Sequence, residues 1–274
     1  MAGGSRENPL SRPCLVAPSI PKNVIYICIP AHDEGPTIGV LLWKVRNTLG
    51  EFSRDYRILV YDDASTDDTP VVLERYRRVL PLTVLGSREQ IGYGRSVEKL
   101  LRHVVETASY PKRDCAVVLQ GDFTEHPDDI VGLVKILEGG ADIVAGVADM
   151  KGRRVPFGVK IVRNLSRWPL STVFRGAPVS DPLSGLRAYR VIVLKKALRD
   201  GFGDRPLVRA EGWAANVELL SRLVPHARRI AEIPLEVRHD LRQRGSRFRP
   251  ISTLMALMKL RGSELWPTSN PQGV

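Results

Sequence analysis

Several acids in this chain stand where apolar runs stop. In VVLQGDFTEHPDD, Val117, Val118 and Leu119 end such a run, and Gln120, Gly121 and Asp122 follow at once. A lone carboxylate is a poor metal site. It serves when a diphosphate completes the shell, because Mg²⁺ favours one or two carboxylates together with phosphates and water. The competing reading is a helix N-cap, although Pro127 and Asp128 stand nearer the next helix. Asp62 and Asp63 end a second run, YRILVYDD. Acids there can accept from ribose hydroxyls or base N–H groups, or cap a helix instead. Arg88 opens a third stretch, in which Gly92 and Gly94 precede a helical pattern. Paired glycines let backbone approach a phosphate at a helix N-terminus, and an ordinary turn uses them as well. The stretch is not the dinucleotide fingerprint, which needs its glycines straight after the first strand.

The elements that must carry these residues alternate in type. Apolar, β-branched runs predict strands over 24–29, 56–63, 82–86, 115–120 and 141–147. Helical spacing falls between them, over 37–49, 70–79, 96–109 and 128–140. Strands alternating with helices of this length predict βαβ units and a mainly parallel sheet. Ligands of such sheets bind at the carboxyl ends of strands, where Asp33, Glu34, Asp62, Asp63, Arg88 and Asp122 lie. Beyond residue 150 the pattern changes. Residues 151–180 are basic and loop-rich, and short strands are expected near 185–189 and 230–237. The segment RHDLRQRGSRFR, 238–249, is densely basic, and 251–262 reads as an amphipathic helix.

The chain has 274 residues, a formal net charge of +11 and a pI near 9.9. That balance favours an anionic partner such as a nucleotide or lipid phosphate. Nucleic acid is disfavoured, since no aromatic interleaving or nucleic-acid motif accompanies the charge. Cys14, Cys28 and Cys115 lack metal spacing and read as reduced thiols, the last two as small core residues. The five histidines form no metal set. No apolar stretch is long enough to span a membrane and no signal peptide is visible, so a cytoplasmic location is expected, with peripheral contact at the inner face of a membrane as an option. The 251–262 helix could supply that contact through Leu254, Leu257 and Met258, or could cover the core. Trp213 could stack on a sugar or simply pack.

Taken in order, these segments resemble family 2 glycosyltransferases. IPAHDEGPTI is similar to their PxxNE opening, VYDDASTDDT to their V-x-D-D-x-S-x-D-x-T segment and QIGYGRS to their second nucleotide loop. VLQGDFTEHPDD stands where they carry Asp-x-Asp. VPFGVKIVRNLSR, VSDPLSGLRAYR, EGWAANVELL and IPLEVRHDLRQRGSRF resemble the polyprenyl-phosphate branch, typified by dolichol-phosphate mannose synthase. The resemblance covers about residues 23–249. It implies a GT-A-type, Rossmann-like α/β fold: a mainly parallel sheet flanked by helices, with a smaller C-terminal acceptor-side region. The expected division is a flexible leader over 1–22, a nucleotide-sugar-binding half over 23–150, an acceptor half over 151–250, and a helix and tail over 251–274.

The resemblance further implies an inverting transfer from a nucleotide-diphosphate sugar to a polyprenyl phosphate, assisted by Mg²⁺ or Mn²⁺. Pro30, Ala31, Asp33, Glu34, Asp62 and Asp63 would bind the nucleoside, with Arg88, Gly92, Gly94, Gln120 and Gly121 around the phosphates. Asp122 would hold the metal, with Gln120 as a weak second ligand. Arg163, Ser166 and Arg187 would face the acceptor phosphate, and Asp181, Trp213 and Glu218 would shape the sugar and acceptor pocket. Arg242 and Arg247 would clamp phosphates. Two departures stand out: Gln120 replaces the first aspartate of Asp-x-Asp, and Ala148 replaces an arginine usual in lipid-phosphate enzymes. A soluble small-molecule acceptor and a non-catalytic nucleotide-sugar-binding protein are therefore the alternatives. A hydroxyl acceptor would need a base, with Asp181 first and Glu125 second.

Overall fold

The structure, a computed structural model, describes residues 23–148, 175–202, 205–235, 250–260 and 265. The leader, Arg163, Ser166, Arg242 and Arg247 lie outside the described residues, as does the basic segment 238–249. The first half runs β1 (Val24–Ala31), α1 (Gly35–Gly50), β2 (Asp55–Asp63), α2 (Thr69–Arg77), β3 (Leu82–Ser87), α3 (Tyr93–Thr107), β4 (Cys115–Val118), α4 (Asp129–Glu138) and β5 (Ile143–Ala148). There follow β6 (Arg187–Arg190), α5 (Val191–Ala197), α6 (Trp213–Leu223), β7 (Ile230–Leu235) and α7 (Pro250–Leu260).

Seven strands among the described residues form one sheet in the order β3-β2-β1-β4-β6-β5-β7. All neighbours are parallel except β6, which runs antiparallel to both β4 and β5. The chain winds outward from β1 to β3, then crosses back to lay β4 on the other side of β1. The strand order therefore reverses between β1 and β4, which opens a crevice beyond their carboxyl ends.

β1 shows why the sheet is covered on both faces. Its residues from Ile25 to Ala31 are all buried, as expected of a central parallel strand with a continuous apolar run. Ile25, Ile27 and Ile29 pack in one core with Ile38, Leu41, Leu42 and Val45 of α1. Tyr26 and Cys28 pack in the other with Val97, Leu100, Leu101 and Val104 of α3. Each isoleucine contributes about 1.5–3 kcal/mol of burial. α1, α2 and α4 cover one face; α3, α5, α6 and α7 cover the other. Cys28 and Cys115 are free and buried, and burial pushes both thiols up, Cys115 to about 12.

One helix carries no clear signal in the sequence. In α6 nearly every position from Ala214 to Leu223 is buried, so no polar stripe marks the helical period. For α7 the sequence left two options open. Leu257, which could have faced a membrane or covered the core, is fully buried against the α3–α6 core, while Met255 and Met258 are half exposed. Among the described residues no helix is long and apolar enough to cross a membrane.

Candidate functional site

The crevice between β1 and β4 holds a cleft of about 220 Å³. One wall is the end of β1 and its loop: Pro30, Ala31, His32 and Glu34. The opposite wall is Gln120, Gly121 and Asp122, which leave the sheet after β4. Asp63, Gln90, Tyr93 and Ser96 close the third side. The two strand ends touch. A side chain at Gly121 would begin 3.1 Å from the Pro30 carbonyl, and the Thr37 hydroxyl of α1 lies within hydrogen-bond reach of both the Glu34 carboxylate (2.9 Å) and the Gly121 carbonyl (3.1 Å). Non-glycine residues with left-handed backbone follow β1, β2 and β4: Asp33 (φ 47°), Ala64 (φ 56°) and Phe123 (φ 61°). Strain of this kind, about 1–3 kcal/mol each, gathers at functional loops.

Most acids expected to bind nucleoside also build these loops. Asp33 accepts from the Thr66 amide (2.7 Å), and that bond holds its carboxyl below the usual range. Asp67 accepts from the amides of Gly35 and Thr69 and from the Thr69 hydroxyl. Burial pushes the Asp67 carboxyl up, but these bonds outweigh it and the net direction is down. Asp62 accepts from the Ser65 amide at 3.1 Å. Asp63 is only 4% exposed and accepts from the amides of Ile91 (2.7 Å) and Gly92 (2.9 Å). It therefore fixes the start of α3 to the end of β2. The Asp63 carbonyl also accepts from His32 Nδ1 at 2.7 Å, which orients that ring on the cleft wall.

Gly92 and Gly94 give way to protein. The space above Gly92 (φ 88°) is filled by Glu211, whose carboxylate oxygens lie 2.4 and 2.6 Å from where a β-carbon would stand. Gly94 is covered by the Ala210 carbonyl at 2.6 Å, with Val208 and Ala215 beside it. Glu98 and Glu218, both buried, hold that covering segment. Glu98 accepts from the amides of Leu207 and Val208, and Glu218 from those of Arg209 and Ala210. Burial and the nearby Asp63 raise the Glu211 carboxyl.

Under the β4 wall lies a polar cluster. Glu125, 5% exposed, accepts from the Gln120 amide at 3.1 Å. Burial pushes its carboxyl up to about 8, with the nearby Asp122 adding to the rise. Gln120 Nε2, Glu125 Oε1 and the Tyr93 hydroxyl all converge on Gly185, at 2.6, 3.1 and 3.2 Å from its absent β-carbon. The Tyr93 hydroxyl donates to Asn216 Oδ1 (3.0 Å), and Asn216 Nδ2 donates to the Leu183 carbonyl. Arg187 is fully buried beneath. Its guanidinium donates to the carbonyls of Asn216 (2.6 Å) and Pro182, and among the described residues Nε has no hydrogen-bond partner.

Pro30, Ala31, Glu34, Asp63, Gln120, Gly121 and Asp122 are thus brought together around one cleft, whereas Asp33, Asp62 and Arg88 lie outside its lining. Asp181 is buried in the loop before β6 and does not line the cleft. Arg187 is buried on backbone carbonyls rather than presented to an acceptor, because β6 pairs with β4 and carries its side chain into the α3–α6 layer. Trp213 is partly buried against the core and Glu218 holds a loop. His32, Gln90, Tyr93 and Ser96 line the cleft and escaped the sequence reading. Their place within the segments PAHDE and QIGYGRS was the available signal.

Asp122 is the carboxylate that could hold a cation here. It stands on the cleft wall, one of its oxygens accepting from the Thr124 amide at 3.0 Å. Among the described residues no group of three His, Cys, Asp or Glu gathers as a metal site. The donor set thus suits an ion that brings a diphosphate and water as its other ligands.

Comparison with known proteins follows the same lines. An uncharacterised protein of Methanocaldococcus jannaschii is 24% identical over 222 residues, covering 79% of this chain and 82% of its own length. The undecaprenyl-phosphate 4-deoxy-4-formamido-L-arabinose transferase of Pseudomonas fluorescens is 25% identical over 186 residues, and the match spans 65% of this chain but half of that enzyme. Among solved structures, glucosyl-3-phosphoglycerate synthase from Mycobacterium tuberculosis, in complex with Mn²⁺, UDP and glucosyl-3-phosphoglycerate, superposes with a TM-score of 0.58 at 22% identity, covering 87% of this chain and 77% of that one. The fold is that of GT-A glycosyltransferases. The family model described as glycosyl transferase family 2 matches residues 26–198, and the chain belongs to that family of enzymes.

Proposed function

We propose that this glycosyltransferase moves a sugar from a uridine-diphosphate sugar to a phosphate-bearing acceptor, polyprenyl phosphate, with inversion at the anomeric carbon. One observation carries the reading: the cleft at the β1–β4 reversal has Pro30, Ala31 and His32 on one side and the Asp122 carboxylate on the other. Pro30, Ala31 and His32 would receive the base and ribose. Asp122 would hold Mg²⁺ or Mn²⁺ on the diphosphate, with Gln120 as an uncharged neighbour. The cation, when bound, would neutralise charge on the leaving diphosphate. An acceptor phosphate oxygen attacks the anomeric carbon as the bond to the donor's β-phosphate breaks, so no strong base is required. Catalysis is then positioning together with electrostatic stabilisation.

The similarity to the Pseudomonas enzyme supports the lipid acceptor. The solved relative, also described with phosphoglyceric acid, supports a second reading with a soluble phosphorylated acid. Incubating the protein with UDP-sugars, Mn²⁺ and either undecaprenyl phosphate or 3-phosphoglycerate, followed by mass spectrometry, separates the two. A glycolipid supports the first reading, a glycosylated acid the second, and neither product with any common donor rejects both.

A further inference from the structure

A second cavity lies at the opposite pole of the sheet, under the amino ends of β1 and β4. Its volume is about 260 Å³, as large as the cleft's. The floor is apolar and belongs to the core: Ile25 and Cys115, paired across the β1–β4 ladder, with Val134 and Leu137 of α4. All four are at most 6% exposed as residues. Apolar cavities of about 150 Å³ already accommodate benzene, so a ring fits in volume.

The walls are the guanidinium groups of Arg54, Arg113 and Arg190, together with Asn23 and the Glu138 carboxylate. Arg54 is held by both oxygens of Glu138, at 2.7 and 3.2 Å. Arg190 donates to Asp142 and to the carbonyls of Lys112, Leu137 and Ala141. These two planes are fixed, with most of their donors committed to protein. Arg113 differs: among the described residues its guanidinium has no hydrogen-bond or ion-pair partner. The cavity therefore pairs an apolar floor and rigid flat walls with one uncommitted cation. Guanidinium planes stack on aromatic rings, and a free guanidinium takes carboxylate or phosphate in a bidentate grip.

We propose that this cavity is a second ligand site, separate from the sugar-transfer cleft, for a small aromatic anion whose ring lies on the Ile25–Leu137 floor and whose acidic group pairs with Arg113. The anionic group is a carboxylate or a phosphate; the ring supplies the selectivity. Phenyl phosphate and benzoate are suitable probes, with inorganic phosphate as the ring-less control.

Calorimetric titration of the full chain, with UDP and Mn²⁺ in excess, tests the site. Binding of phenyl phosphate or benzoate is expected to persist in the presence of UDP. Arg113→Ala should weaken it by about tenfold or more, the scale of one lost charged contact. Val134→Phe, checked for folding by circular dichroism, should also abolish binding by filling the floor, and inorganic phosphate should bind more weakly than phenyl phosphate. The proposal is overturned if the aromatic anions do not bind at millimolar concentration, if UDP displaces them, or if Arg113→Ala binds as well as the parent.

Discussion

Asp122 and Gln120 set the charge of the β4 wall, and the two should separate in experiment. Asp122→Ala is expected to abolish sugar transfer. Gln120→Asp should tighten Mn²⁺ binding in the presence of UDP by about tenfold or more, because a second carboxylate at short range contributes a few kcal/mol of attraction. Electron paramagnetic resonance of free Mn²⁺ reads this without reference to turnover. Unchanged Mn²⁺ affinity would show that position 120 does not face the ion. Glu125 makes a different prediction. Its folded carboxyl sits near 8, above its ordinary value of 4.5, chiefly because it is buried. Its stabilising contribution is complete below the ordinary value and is lost as pH rises through about 8. Thermal unfolding across that window should show the parent weakening towards alkaline pH, while Glu125→Gln, neutral throughout, should lack that loss. An identical pH profile for both proteins would refute the assignment.

At the scale of elements, the start of α3 is the sensitive joint. Asp63 ties it to β2 through two amides, and Glu211 and Ala210 press on it from above. Asp63→Asn should lower stability by about 2 kcal/mol, since charged hydrogen bonds from the half-buried Ile91 and Gly92 amides are exchanged for weaker ones. Gly94→Ala should lower it by about 2 kcal/mol through overpacking against the Ala210 carbonyl. Urea unfolding measures both, and an effect under half a kilocalorie in either would contradict the joint. Here the sequence and the fold part company in an instructive way. The strands, their parallel order and the carboxylates at their ends were legible, because apolar runs and turn residues are local signals. The role of Gly92 and Gly94 was not. What fills the space above them comes from residues 208–215, more than a hundred positions away. Arg187 was misplaced for a related reason: its burial follows from β6 inserting beside β4, a pairing no local pattern announces.

For the whole molecule, donor binding should appear as stabilisation by mass action. UDP with Mn²⁺ at about 100 times the dissociation constant is expected to add roughly 2.7 kcal/mol. A thermal-shift series with UDP, GDP and ADP, each with and without Mn²⁺, reads the donor base and the metal requirement together. A shift with UDP that is independent of Mn²⁺ would argue that the basic residues, rather than a cation, meet the diphosphate. A shift with no nucleotide would reject the cleft as a donor site.

The antiparallel strand β6 also bears on how the chain is made. β4 and β5 are not neighbours in the sheet; β6 lies between them and hydrogen-bonds to both. β5 pairs otherwise only with β7, still further along the chain. During synthesis, β5 thus emerges with neither ladder partner, and stays an open strand until residues 187–190 arrive. Long-range pairings of this kind are slow to form and leave unpaired edges exposed meanwhile. A nascent chain exposed outside the ribosome only as far as residues 150–186 would present β5 to chaperones or to other nascent chains, while β1, β2 and β3 already have their partners.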